Sequence, residues 1–279
     1  MMSTTEEAAA VADNRSEFTL HIFPFSLYSI MTRLTCAFGH RGSGKQKFDM
    51  QLALVNLHRN ENLSADYLLT VNPKGQVPTL TGESLDRPLT SSLEISYWLC
   101  QRYPHLLPRE HEAQIRLRLA KVHDIQALSL SVPDKKAREY GVPNIAAEQL
   151  SSVGKIPEDY RSALQFKAEF HKKHMESALE ADQVVLAESK VLEVFGEISD
   201  TYHEGDVWLF GQAVGPTILD AHLVPLVTRL QDCGRQDLVP GILAAYAGRV
   251  RSTDAWREAT HGRPTMWDIS MGHVADMEL

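Results

Sequence analysis

Every β-prone run in this 279-residue chain lies before Thr90, and from Glu110 onward the apolar spacing is helical. Alternation with a period of two marks strands, and a 3.6-residue period marks amphipathic helices. A chain that spends all its strands first must complete its sheet early and bury the remaining apolar faces helix against helix. The sequence therefore predicts an α/β unit followed by an all-α unit, and 279 residues, 43% of them hydrophobic, suffice for two cores. The boundary is placed in the proline-bracketed stretch Pro104–Arg109. The expected organisation is a disordered tail over 1–17, an α/β domain over 18–104, and a helical domain over 110–279 with an irregular insertion around 131–157.

Phe18–Phe23 reads as a buried strand stopped by Pro24, and Ser29–Phe38 as a helix with Gly39 at its C-terminal cap. A second strand is expected within Phe48–Leu57, a short helix over Ser64–Val71, and a third strand from Val77. A short fourth strand ends near Leu89. Thr90 or Ser91 can cap a helix over Leu93–Arg102. The order βαβ–αββα makes a mixed four-stranded sheet. Later helices are expected over Glu110–Leu130, Glu158–Glu180, Asp182–Tyr202, Thr217–Leu230 and Gly241–Val250. The insertion, with Pro133, Gly141, Pro143, Gly154 and Pro157, has room for one short helix.

A net charge of −8 and no block of Lys and Arg argue against nucleic-acid partners. No apolar run approaches the ~18 residues that span a bilayer. The first 17 residues lack the features of a signal or transit peptide, so a cytoplasmic protein is expected. Cys36, Cys100 and Cys233 show no metal spacing and read as buried thiols; no metal site is expected.

Five local patterns bear on chemistry. In Asn72-Pro-Lys-Gly-Gln-Val-Pro-Thr-Leu80, Pro78 stands at the mouth of a strand, where a proline removes a ladder donor. A cis Val77–Pro78 bond would turn Val77's backbone outward, free to pair with a peptide-like ligand; a trans proline closing a loop is the alternative. Ser91-Ser92 precedes a helix whose first N–H groups suit a carboxylate. Thr217 and Asp220 form a reciprocal helix cap that is structural. Gly39-His-Arg-Gly-Ser-Gly-Lys-Gln46 resembles a phosphate loop, but Gln46 stands where a Mg²⁺-binding hydroxyl is needed and the order helix-then-strand is reversed. His171 and His174, with lysines between them, read as a solvated face, and His203 and His222 as isolated.

Taken in order, VPTL, LTSSLEISYWL, RYPHLLP and WLFG…GPTILDAHL resemble the glutathione transferases, from about Phe18 to Val250. The resemblance implies a thioredoxin-like first domain, a cis Pro78, and Val77 pairing its backbone with the cysteinyl part of glutathione, the co-substrate. Ser92 with its helix N-terminus would hold the γ-glutamyl carboxylate, assisted by Ser91. The group that serves the sulfur falls in the turn after the first strand: Ser26, with Tyr28 and Ser29 as alternates. Two positions depart from the family pattern. Ser91 replaces an acidic residue or Gln, and Asn62-Leu63 replaces a basic residue, for which Lys74 or Gln76 can compensate. The implied function is attack of a glutathione thiolate on a small-molecule electrophile, as conjugation or, in a somewhat zeta-like manner, cis–trans isomerisation. A homodimer is expected; the alternative is a non-catalytic binding or regulatory module on the same fold.

Overall fold

The computed structural model describes residues 16–43, 50–152 and 154–279. Most of the expected N-terminal tail, and Gly44–Gln46 of the glycine-rich loop, lie outside the described residues.

Strand β1 (Phe18–Ile22) is the centre of the sheet. It buries Phe18, Leu20 and Ile22 on one face, as alternation requires. It pairs in parallel with β2 (Met50–Leu54), Leu20 opposite Leu52, and antiparallel with β3 (Thr79–Gly82), Leu20 opposite Leu80. The sheet is mixed, with three strands among the described residues. The expected fourth strand is a single bridge in which Leu80 and Leu89 exchange two 2.9 Å backbone hydrogen bonds. It extends no further because Pro88 has no N–H and the Thr90 N–H goes to the Glu94 carboxylate.

Helix α1 (Leu27–Ser43) outruns its prediction. Gly39 lies inside it, where an added Cβ would sit 2.4 Å from the Tyr103 ring. The glycine permits close packing and ends nothing. Helix α2 (Ser92–Arg102) has Ser91 as its N-cap. The single helix expected over Glu110–Leu130 is two: α3 (Glu112–Asp124) and α4 (Ala127–Ser131), parted at Ile125-Gln126. The insertion holds two short helices, α5 (Lys135–Glu139) and α6 (Ile145–Ser152). Next come α7 (Glu158–His174) and α8 (Ala181–Ser199), then α9 (Ile218–Asp232), α10 (Gly241–Arg251) and the unforeseen α11 (Asp254–Thr260).

Helix α9 is apolar on nearly every side and is buried from Ile218 to Thr228, the mark of a central core helix. Its start is the expected cap: Thr217 N–H and Oγ1–H both donate to Asp220 Oδ2, at 2.8 and 2.7 Å. The Leu209 N–H and the Tyr246 hydroxyl donate to Asp220 Oδ1, so the buried carboxylate is fully satisfied. Helix α1 packs against α2, α9 and α11, which joins the two halves through one continuous core. After α11 the chain returns to the sheet side. Val274 enters an apolar cluster with Phe23, Phe25, Val55, Tyr67 and Val77, and the Trp267 ring lies 4.5 Å from that of His58.

Candidate functional site

The loop from Asn72 to Pro78 is held by buried polar side chains. The Gln76 carbonyl accepts from the Tyr67 hydroxyl at 2.7 Å, from Asn72 Nδ2 at 2.9 Å and from Thr79 Oγ1 at 3.3 Å. Asn72 and Thr79 are completely buried, so these bonds fix the loop in a low-dielectric setting. Gly75, at φ +55°, is turned so that its carbonyl accepts from Asn62 Nδ2 at 2.8 Å and from Lys167 Nζ at 3.4 Å. The Val77–Pro78 bond is cis. With the Gln76 carbonyl committed inward, Val77 keeps a backbone N–H and C=O without partners among the described residues.

Opposite this loop stands the start of α1. Pro24 ends β1, and Phe23 and Phe25 pack edge-on with ring centres 6.0 Å apart. Ser26 Oγ accepts the Ser29 N–H at 3.4 Å, so Ser26 caps the helix. Ser29 is completely buried, and its Oγ accepts the Phe23 N–H at 3.4 Å. Tyr28 is placed differently: its side chain lines a cleft, and its hydroxyl has no partner among the described residues. Burial pushes its phenol up from the ordinary value, and the nearby Arg229 guanidinium pulls partly back. Arg229, on α9, donates to the Phe25 carbonyl and to the Thr265 carbonyl, both at 2.7 Å.

That cleft encloses about 330 Å³. Gln76, Val77, Pro78, Thr90, Ser91 and Ser92 form its wall on the first domain. His123, Gln126, Leu128, Phe170, His174 and Met175 form the facing helical wall. It brings together Tyr28, Gln76, Val77, Pro78, Ser91 and Ser92 of the predicted site residues. Ser26 and Ser29 are not among its lining residues, and neither is Lys74. Ser91 Oγ is already engaged, accepting the Glu94 N–H at 3.2 Å. The Ser92 and Leu93 N–H groups, which the Ser91 cap leaves without a partner among the described residues, remain available to a carboxylate.

Sequence reasoning passed over Lys167 and His123, and its readings of His222 and His171 do not hold. Lys167, on α7, is buried with its Nζ by Gly75, and burial lowers its ammonium to about 8. His222 is not isolated: its Nδ1 lies 2.8 Å from His123 Nε2 and its Nε2 lies 2.8 Å from Ser96 Oγ. Nor is His171 solvated, since it is buried with Nε2 3.1 Å from the Val142 carbonyl, while His174 stacks near Phe170. Among the described residues no group of three or more His, Cys, Asp or Glu side chains could hold a metal ion. Likewise none of the described helices is long and apolar enough to cross a membrane. Gly39–Ser43, the described part of the glycine-rich segment, is helical and offers no phosphate-cradling turn.

Residues 20–110 match the sequence family described as glutathione S-transferase, N-terminal domain. No curated protein matches the chain by sequence. Among solved structures, it is similar to a maleyl pyruvate isomerase described as a bacterial zeta-class glutathione-S-transferase: TM-score 0.54 at 20% identity, covering 88% of this chain and 98% of that one. A β-etherase from Sphingobium sp. strain SYK-6 aligns with TM-score 0.59 at 17% identity, over 88% of this chain and 100% of its own. A glutathione transferase family member from Pseudomonas fluorescens, with two glutathione molecules bound, gives 0.56 at 12% identity, over 90% and 95%. At these identities the likeness is one of fold.

Proposed function

We infer, for a chain whose N-terminal domain is that of a glutathione S-transferase and whose whole has the glutathione transferase fold, that the cleft between Val77 and His123 binds glutathione and directs its thiolate at an electrophile. One observation carries this reading: an unpaired Val77 backbone, the α2 N-terminus and the Tyr28 hydroxyl share one 330 Å³ cleft. Val77 offers a donor and an acceptor to a peptide-like ligand. The N-terminus of α2, with Ser92, receives the γ-glutamyl carboxylate. Lys167, which reaches the Gly75 carbonyl from outside the cleft's lining, brings the positive charge that Asn62-Leu63 lacks towards the carboxylate at the other end.

Of the three residues at the turn after β1, Tyr28 is the one favoured for the sulfur, because its phenol lines the cleft while Ser26 and Ser29 serve the helix start. Its raised pKa keeps it protonated near neutrality, as a donor must be. A free thiol titrates near 8.5. One charge-assisted hydrogen bond is worth about 1.5–3 kcal/mol, which lowers that value by about one to two units. The thiolate then attacks a small electrophile held against Phe170 and Met175, either forming a conjugate or adding reversibly to a double bond to isomerise it.

Retention on immobilised glutathione and thiol-dependent turnover of a chloronitrobenzene test the reading. Wild type is expected to do both, and Tyr28→Phe to be retained with turnover reduced tenfold or more. Neither retention nor turnover in wild type would overturn it and leave the fold as a binding module.

A further inference from the structure

Behind the cleft, a buried line of hydrogen bonds crosses between the two halves of the molecule. Thr35 Oγ1 on α1 donates to the Met31 carbonyl at 2.9 Å. It also lies 3.2 Å from Ser96 Oγ on α2, which lies 2.8 Å from His222 Nε2 on α9. His222 Nδ1 lies 2.8 Å from His123 Nε2 at the end of α3. Thr35, Ser96 and His222 are completely buried, so water does not interrupt the line.

The far end sets the polarity of the whole. A carbonyl oxygen only accepts, and two oxygens 2.9 Å apart repel unless a proton lies between them. The Thr35 proton therefore points to Met31. Ser96 must then give its proton to Thr35 and accept from His222 Nε2–H. A neutral imidazole carries one N–H, so His222 Nδ1 is an acceptor and His123 Nε2–H is its donor. Burial holds His123 down to about 4, so it is neutral near pH 7 and its Nδ1 carries a lone pair. That nitrogen has no partner among the described residues. The ring itself lines the cleft, stacked on Tyr28 with centres 6.0 Å apart and planes 29° from parallel.

We propose that His123 determines specificity in the cleft: its Nδ1, locked as an acceptor by the buried line from Met31, selects a ligand that presents a hydroxyl proton, and the class it fits is a phenolic aromatic. The proposal rests on the thiol-site reading and names the electrophile class that site would take. The aromatic part follows from the walls, which set Tyr28 and Phe170 with Leu128 and Met175 around the space. The hydroxyl part follows from the fixed tautomer. A methyl ether brings only lone pairs to Nδ1, and sites built to bond a hydroxyl reject analogues without one far more strongly than apolar pockets reject a methylene. Ser96, His222 and Thr35 are positioning residues that act through His123.

Two measurements on the full chain test this. Imidazole nitrogen NMR reports the tautomer, with His123 Nδ1 expected unprotonated and Nε2 protonated at neutral pH. In Ser96→Ala, which removes the polarity, a second His123 tautomer is expected. Equilibrium dialysis compares para-hydroxyacetophenone with its methyl ether. The phenol is expected to bind at least tenfold more tightly to wild type, and the ratio to fall to near one in His123→Phe. A protonated Nδ1, a wild-type ratio near one, or a ratio that survives His123→Phe overturns the proposal. Neither readout uses glutathione, so failure to bind glutathione defeats the thiol reading while the tautomer and the phenol ratio still stand or fall by themselves.

Discussion

The Arg229 guanidinium donates to the Phe25 carbonyl at 2.7 Å, tying the core helix of the second domain to the turn that launches α1 in the first. The same side chain holds Thr265 through Nε to Oγ1 at 3.1 Å and through Nη2 to its carbonyl. Asp232 completes the knot by accepting from the Thr265 N–H and hydroxyl, both at 2.7 Å. A cation is thus used, deep in the interface, to satisfy two carbonyl oxygens.

Arg229→Met should therefore strand both carbonyls in a dry environment. Each lost partner costs about 1–3 kcal/mol, so the variant is expected to unfold about 2–6 kcal/mol more readily. Urea unfolding at pH 7 measures it through the midpoint, with an unchanged slope showing that the unfolded state is the same. A shift below 0.5 kcal/mol, roughly the range of surface substitutions, would mean the clamp is not structural.

Ser26→Ala removes a helix cap. Losing such a cap costs about 0.5–2 kcal/mol, and that loss of stability is the expected result. Thiol-dependent turnover should change less than threefold. A tenfold loss of turnover in Ser26→Ala, with Tyr28→Phe near wild type, would move the sulfur-serving role to Ser26.

The paired histidines predict acid sensitivity. His123 is lowered from 6.5 to about 4 and His222 is lowered well below 6.5, in both cases by burial first. The unfolded chain binds protons that the folded chain refuses, so stability falls as pH drops below 6.5 and continues to fall until the folded values are reached. For His123 alone the loss between pH 7 and pH 5 is about 2 kcal/mol. His21, also lowered by burial, acts in the same direction. Carboxylates ordinarily titrate near 4, below most of this window. Urea unfolding at the two pH values reads the drop; equal stability at both would show that the rings are charged in the fold.

Lys167 should trade stability against ligand. Its ammonium is lowered from 10.5 to about 8 by burial. At pH 7 it is charged in both states and the full penalty is present. Above pH 8 the folded chain releases the proton first, so stability rises towards pH 10.5. Lys167→Met is expected to gain about 1–3 kcal/mol at pH 7 and to lose this alkaline rise. Its affinity for glutathione, measured by calorimetry, should fall at least fivefold. A gain in stability with unchanged affinity would remove Lys167 from the ligand's reach.

What the sequence disclosed was local. Pro24, Ser91 and the Thr217–Asp220 pair act within a few residues of themselves, and the structure places a strand end and two caps there; the cis bond at Pro78, which spacing left open, was implied by the family resemblance. Gly39 misled because a glycine that lets the Tyr103 ring approach reads the same as one that ends a helix. Ile125-Gln126 contains no breaker; the helix parts there as Ile125 is buried and the Gln126 amide reaches the His174 carbonyl. Nor could spacing pair His222 with His123, 99 positions away, or with Ser96, 126 away. The cleft's first-domain wall was legible residue by residue, and its helical wall only as the expectation that the Glu110–Leu130 segment, which supplies His123, Gln126 and Leu128, borders the space between the domains. One is a run of neighbouring residues, and the other is assembled by packing.

Val274 lies in the apolar cluster that backs Val77, and Thr265 braces the arginine that holds Phe25. Chains are synthesised from the N-terminus, and domains generally fold in that order. The α/β half can build its sheet early, yet the surfaces behind its Asn72–Pro78 loop and its helix start stay open until some two hundred further residues have been added. The cleft between the two halves is therefore completed late on the ribosome, and an excised first domain would present the Asn72–Pro78 loop without its support.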